Sequence, residues 1–212
     1  MSAASVIFSA VRCRYGRQTV VDGVDLQVAA GEHLALTGTN GSGKTTLLRA
    51  ALGLHPLAGG TVAVAGPSPR SRADWMRRRR EVAWIPQRLA PGRFPLLVDE
   101  LLDSAGIGAD AARGAADRLG VGGLGTRPLH TLSGGQLQRT FLARALGCVD
   151  AGARVLFADE PTAALDFAGQ AQVASLLAEL PVTVVVVSHD RAVAAACDRI
   201  AEMAAGRLRV LA

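Results

Sequence analysis

The sequence predicts an α/β fold: a mostly parallel sheet flanked by helices, an antiparallel β subdomain near the N-terminus, and an inserted helical lobe. Three observations carry this. In the C-terminal part, apolar runs of strand length (RVLFADE, VTVVVVS) alternate with segments of helical spacing, the pattern of a parallel sheet covered on both faces. The first third reads instead as successive strands separated by Gly and Asp. From residue 88 to 132 the β signal vanishes and short Gly-broken helical patterns replace it.

In chain order, VIFSAVRCRY, VDLQVAAG and HLALTG are strands. A Gly-rich turn, GTNGSGK, follows the third strand directly and leads into TTLLRAALG, whose apolar spacing is helical and which ends at Gly53 as a C-cap. TVAVAG and EVAWIP are short strands, with a polar, Arg-rich stretch at residues 67–80 between them. LLVDELLDSAGI and ADAARGAADRLGV are two short helices joined to a loop, GGLGTRPLHT. A helix (GQLQRTFLARALG), a strand, a helix (DFAGQAQVASLLAEL), a strand and a last helix (RAVAAACDRI) then alternate. No internal repeat is visible.

The 212 residues (21.9 kDa) are half hydrophobic and 19% charged, which excludes disordered and collagen-like classes and suffices for one domain with a buried core. No apolar run approaches the ~20 residues that span a bilayer; the longest β-branched run, residues 182–187, has strand length. The start lacks the basic and apolar regions of a signal peptide. Cys13, Cys148 and Cys197 form no CxxC, which points to reduced thiols in a cytosolic protein. The four histidines are scattered, none paired at metal-ligand spacing. Of 23 basic residues only Lys44 is a lysine. The run Arg77-Arg78-Arg79-Arg80, with Arg70 and Arg72 nearby, reads as a solvated face, with attraction to an anionic membrane surface as the second reading. No aromatic stacking set or groove-reading helix accompanies it, so nucleic acid is not an expected partner.

Gly38-Thr39-Asn40-Gly41-Ser42-Gly43-Lys44-Thr45, with Thr46 behind it, is a full GxxxxGK[ST], placed after a buried strand and at the start of a helix. Backbone N–H groups and the helix N-terminus favour phosphates there; Lys44 reaches the β and γ phosphates and Thr45 ligates Mg²⁺. The core is therefore a P-loop NTPase core binding a nucleoside triphosphate. VLFADE is a buried strand ending in Asp159, placed to hold Mg²⁺, with Glu160 on the opposite side of the pleat to polarise a water. Solvated acids at a strand end are the plainer reading, which pairing with the P-loop disfavours. Ser133 is an N-cap followed by Gly134 and Gly135, a second anion-binding helix end; an ordinary capped helix fits the spacing as well.

LSGGQLQR between a P-loop and a VLFADEP strand resembles the signature of ABC-type ATPases, and the resemblance covers essentially the whole chain. Gln87 in WIPQ matches the Q-loop, Ala164-Leu165-Asp166 the D-loop, His189 in VVVVSHD the switch histidine, and Tyr15 the aromatic that stacks on adenine. Thr39 and Thr45 stand where the family often has Pro and Ser; Thr45 keeps the hydroxyl. The resemblance implies a single ATPase domain over 1–212, with a helical lobe at about 88–138 inserted in a nucleotide-binding core of 1–87 and 139–212. ATP on one subunit's P-loop is closed over by Ser133, Gly134, Gly135 and Gln136 of a second subunit. Glu160 activates water, His189 contacts the γ-phosphate, Gln87 senses Mg²⁺ and water, and Asp166 contributes across the dimer.

The resemblance also implies partners. A separate integral-membrane permease docks between core and lobe, near Gln87 and residues 88–102, where Phe94, Pro95, Leu96 and Leu97 make an apolar patch or ordinary lobe core. IPQR, FPLLVDELL, LSGGQLQRTFLARAL and ALDFAGQAQVASLL are similar to ATPases of zinc, manganese and related metal-ion importers, with siderophore, cobalamin and haem branches open. The expected role is an ATP-hydrolysing subunit at the inner face of the cell membrane, with an extracytoplasmic solute-binding protein as a further partner. The alternative is a soluble ABC ATPase serving a cytosolic assembly complex.

Overall fold

The computed structural model describes residues 2–69, 71–87 and 95–211. Two sheets form its frame. Three antiparallel strands, β1 (Val6–Tyr15), β2 (Gln18–Val28) and β4 (Gly59–Val64), lie in the order β2-β1-β4. The second sheet also takes in β3 (His33–Thr37), β5 (Val82–Ile85), β6 (Val155–Asp159), β7 (Thr183–Val187), β8 (Arg199–Ala204) and β9 (Arg207–Leu211), ordered β5-β6-β7-β3-β8-β9. All its pairings are parallel except the β8–β9 hairpin.

The continuous apolar strands are buried on both sides, and alternate residues divide between two cores. Leu156, Ala158, Val184 and Val186 join one cluster with helices α5 (Gly134–Asp150) and α6 (Phe167–Ala178). Val155, Phe157, Val185 and Val187 join another with helix α1 (Lys44–Ala51) and the antiparallel sheet. A one-residue slip in any of these strands would exchange the two faces, so the register is set by packing.

The inserted segment holds α3 (Val98–Asp103) and α4 (Ala109–Arg118), both packed on α5. The approach is close because the contact residues are small: a Cβ on Gly147 of α5 would lie 2.5 Å from the Cβ of Ala112 on α4. The last helix, α7 (Arg191–Ala195), is short. No described helix is long and apolar enough to cross a membrane.

Three expectations need correction. The stretch at residues 67–80 contains a helix, α2 (Arg72–Glu81), started by a capping box in which the Ser71 hydroxyl accepts from the Asp74 amide and Asp74 accepts from the Ser71 amide. Nor is the arginine run one solvated face. Arg77 pairs with Asp74, but Arg78 is buried and donates to the carbonyls of Ala51 (3.2 Å) and Val62 (3.0 Å), tying α2 to the end of α1 and to β4. Burial lowers the Arg78 guanidinium to about 10. Finally, Arg199 and Ile200 belong to β8 and not to the last helix, and a hairpin follows. Its turn puts Ala205 (φ 47) and Gly206 (φ 79) in the left-handed region that a type I′ turn requires. Arg70, Arg88 and Phe94 lie outside the described residues.

Candidate nucleotide site

The P-loop is built where β3 ends and α1 begins. Gly38 has φ +130, and a Cβ there would lie 2.0 Å from the Met203 carbonyl, so the loop closes on β8 only with glycine. Lys44 is 6% exposed, and its ammonium donates to the carbonyls of Gly38 (2.7 Å) and Thr39 (2.9 Å) and to the Ser42 hydroxyl (3.4 Å). All three acceptors are neutral. Burial pushes the Lys44 ammonium below its usual range, and the carboxylates of Glu160 and Asp159 hold it partly up.

Strand β7 lies between β3 and β6, so the acids reach the P-loop across the end of β7. Asp159 closes β6 and is wholly buried, and neither carboxylate oxygen has a hydrogen-bond partner. Burial raises its carboxyl above the usual range; the neighbouring Thr45 hydroxyl and the charges of Lys44 and Arg49 oppose this, while Glu160 reinforces it. Glu160 is not simply the next residue of the pleat. It lies beyond the strand with φ 53, its amide donating to the Val187 carbonyl at 2.8 Å, and this left-handed step sets the direction of its side chain. Its Oε1 is 3.4 Å from Nε2 of His189, which follows β7 and is half exposed.

Two adjoining cavities define the cleft. One, of about 260 Å³, lies between Thr45, Arg49, Trp84, Gln87 and Asp159. The other, of about 190 Å³, is lined by Asn40, Gly41, Lys44, Thr45, Gln87 and Glu160, among others. Thr45 and Gln87 line both, so the P-loop, Gln87 and the two acids form one site with His189 at its edge.

The remaining residues singled out in the sequence lie elsewhere. Ser133 caps α5 in a capping box with Gln136, and Ser133 and Gly134 are exposed. Neither cavity is lined by Ser133, Gly134, Gly135 or Gln136. Asp166 caps α6 by accepting from the Gly169 amide at 3.0 Å and lies 3.6 Å from Arg139 of α5. Tyr15 is half exposed at the end of β1, with its ring against His55 (centroids 4.6 Å apart, tilted 48°).

Arg49, Trp84 and His55 are additions to the residues read from the sequence. Arg49 had a signal, standing four residues after Thr45 and hence on the same face of α1. The Tyr15–His55 contact joins positions 40 residues apart and had none.

Comparison with known proteins agrees with this architecture. Residues 21–163 match the ABC transporter family model. The chain is 41% identical to the hemin import ATP-binding protein HmuV of Streptomyces coelicolor, over 93% of this chain and 74% of that protein. It is 40% identical to the zinc import ATP-binding protein ZnuC of Cereibacter sphaeroides, over 88% of this chain and 74% of that one. The dimeric structure of a bacterial ABC transporter cassette superposes with a TM-score of 0.84 at 25% identity, covering 96% of both chains. The ordered motifs, the two-sheet frame that carries them and these likenesses converge: the chain belongs to the ABC transporter family, as its ATP-binding and ATP-hydrolysing cassette.

Proposed function

We propose that this cassette energises an importer of metal ions or metal chelates by closing with a second cassette over ATP while docked on a separate membrane permease. The observation that carries the catalytic part is the convergence of Lys44, Thr45, Gln87, Asp159, Glu160 and His189 at the ends of β3, β5, β6 and β7. The hemin and zinc relatives support the class of solute, and the ion itself would pass through the permease.

The residues divide the work by their chemistry. The ammonium of Lys44, held only by neutral oxygens, exchanges them for β and γ phosphate oxygens, and the amides of residues 39–45 support the phosphates. Magnesium fits the donor set: Asp159 offers two buried, unpartnered carboxylate oxygens beside the Thr45 hydroxyl, with Gln87 lining the same cavity. When bound, the ion neutralises charge on the phosphates. Glu160 accepts the proton of the attacking water, with His189 orienting the carboxylate at 3.4 Å and reaching the γ-phosphate. Tyr15 offers its ring to the adenine. Ser133 and Gly134 are exposed, Gly135 and Gln136 are half-buried behind them, and all four stand apart from this cleft, which suits them to the γ-phosphate held by a partner subunit. Two copies head to tail satisfy both halves of each site by symmetry, with Asp166 at the seam.

Docking has a place as well. A cavity of about 660 Å³ opens between α2 and β5 on the core side and the segment at Ser104–Ile107 with α5 on the lobe side. Leu54 and Trp84 line both this cavity and the one at Asp159, so a partner seated there touches the walls of the nucleotide site. The cassette would then sit peripherally at the inner membrane face.

The test is Glu160→Gln. It should bind ATP, hydrolyse it slower by orders of magnitude, and accumulate as an ATP-bound dimer by size exclusion. A variant that hydrolyses normally while monomeric in ATP would sink both the base assignment and the closed dimer.

A further inference from the structure

His55 stands between α1 and β4, in a segment that the fold holds against β1. The chain turns away from α1 at Gly53 (φ 70), and the Ala58 amide donates to the carbonyl of Arg12, three residues before Tyr15, at 2.7 Å. His55 is 9% exposed, and its buried Nε2 has no hydrogen-bond partner among the described residues. A buried polar atom left unpaired works against stability, so core packing alone does not explain a histidine here. The imidazole meets the ring of Tyr15, with centroids 4.6 Å apart and a tilt of 48°, inside the range where aromatic pairs attract. Tyr15 ends β1 at the tip of the β1–β2 hairpin, paired with Gln18, and is 51% exposed, so its own sheet covers only half of it. The hairpin borders the nucleotide cleft: Val20, two residues beyond Gln18 on β2, lines the cavity that Lys44 and Glu160 also line.

We infer that His55 is a positioning residue for the nucleotide base: it backs the Tyr15 ring and holds it in the orientation in which its open side stacks on adenine. The inference rests on the reading of Tyr15 as the adenine-stacking ring and adds what keeps that ring in place. An aromatic side chain half in solvent at a hairpin tip samples several rotamers, and a base that stacks on it must first fix one, which weakens binding. His55, itself immobilised by burial, removes the rotamers that would swing the ring into its place. A flat ring suits the task, because an aliphatic side chain fills the same space without offering a face to a second ring. Stacking acts on the base alone. His55 therefore contributes to the binding of ATP and not to that of the triphosphate chain, which falls to Lys44 and the P-loop amides.

The experiment measures, by calorimetric titration of the full chain, the affinity for ATP and for inorganic tripolyphosphate, both with magnesium. The variants are His55→Leu, His55→Phe, Tyr15→Ala and the double variant Tyr15→Ala/His55→Leu. Tyr15→Ala should weaken ATP about tenfold and His55→Leu about fivefold, with tripolyphosphate unchanged in both. His55→Phe restores a flat ring and should keep ATP affinity within about twofold of the wild type. The double variant should be no weaker than Tyr15→Ala alone. In steady state, His55→Leu should raise KM for ATP and leave kcat unchanged, since stacking on the base is the same before and during the reaction. Thermal unfolding should show no loss of stability in His55→Leu, because leucine buries no unpaired nitrogen. Equal weakening of ATP and tripolyphosphate, or a His55→Leu chain that no longer folds, would make His55 a residue of general packing and overturn the proposal. So would a Phe variant no better than the Leu variant, or losses that add in the double variant. If Tyr15→Ala weakens ATP and His55→Leu does not, the proposal falls and the adenine reading of Tyr15 stands. If neither weakens it, both fall.

Discussion

Replacing Asp159 by Asn should stabilise the nucleotide-free protein while weakening its binding of ATP with magnesium. The carboxylate is fully buried and neither oxygen has a close hydrogen-bond partner, the Thr45 hydroxyl being its nearest polar neighbour, so burial of the ionised form is only partly compensated. Lys44, Arg49 and the Thr45 hydroxyl oppose that cost, but burial is the largest influence on this group and Glu160 adds to it, so the net sign is destabilising. Asparagine keeps the shape and removes the charge. The asparagine amide stays unpaired there, so the gain is only the extra cost of a charge over a neutral polar group; taken as about 1 kcal/mol, it is for a domain of this size a rise in Tm of roughly 2–4 °C. The pH dependence follows from the direction of the shift. An acid raised in the folded state favours the protonated protein, so the disadvantage of the wild type is full above its folded value and fades as pH falls towards the usual aspartate value of about 4. Thermal unfolding in EDTA between pH 7 and pH 4.5 measures it. If Asp159→Asn is less stable than the wild type at pH 7, or if the difference is flat with pH, the reasoning is wrong.

Other perturbations have equally definite outcomes. Gly38→Ala forces a Cβ to 2.0 Å from the Met203 carbonyl at φ +130, so the loop must move by more than about an ångström; calorimetric titration should show ATP affinity falling at least about tenfold, and unchanged affinity would refute the fit. Burial and Asp198 push the Cys197 thiol up to about 11, so iodoacetamide at pH 8 should label it roughly a hundredfold more slowly than a free thiol, with the rate climbing to pH 11. Early labelling of Cys197 by mass spectrometry would contradict this. Ser71→Ala removes the cap of α2 and should cost about 1 kcal/mol in urea unfolding, with ATP affinity unchanged.

The parts of the site that were legible in the sequence are those whose chemistry is local. The P-loop is contiguous, and its glycines, Lys44 and Thr45 act through the backbone they themselves form. Asp159 was legible because four apolar residues before it require a buried strand, and a buried strand ends in a fixed place at the sheet edge. Glu160 was legible as a residue but not as a geometry, because the left-handed step that aims it follows from its amide bond to Val187, 27 positions away. The β8–β9 hairpin was missed because Arg199–Ala204 contains one β-branched residue; its strand character comes from pairing with β3.

The arginines draw the line most clearly. The sequence by itself determined that the one lysine among 23 basic residues stands at the lysine position of a GxxxxGK[ST] loop, since the residues around Lys44 spell that motif. It could not separate Arg77, Arg78, Arg79 and Arg80, which are chemically identical neighbours. Only the tertiary structure did so. On a helix, successive residues point about 100° apart, so what each one meets depends on what the fold packs around α2: an acid on its own helix, two carbonyls from α1 and β4, or an open cleft opposite α5.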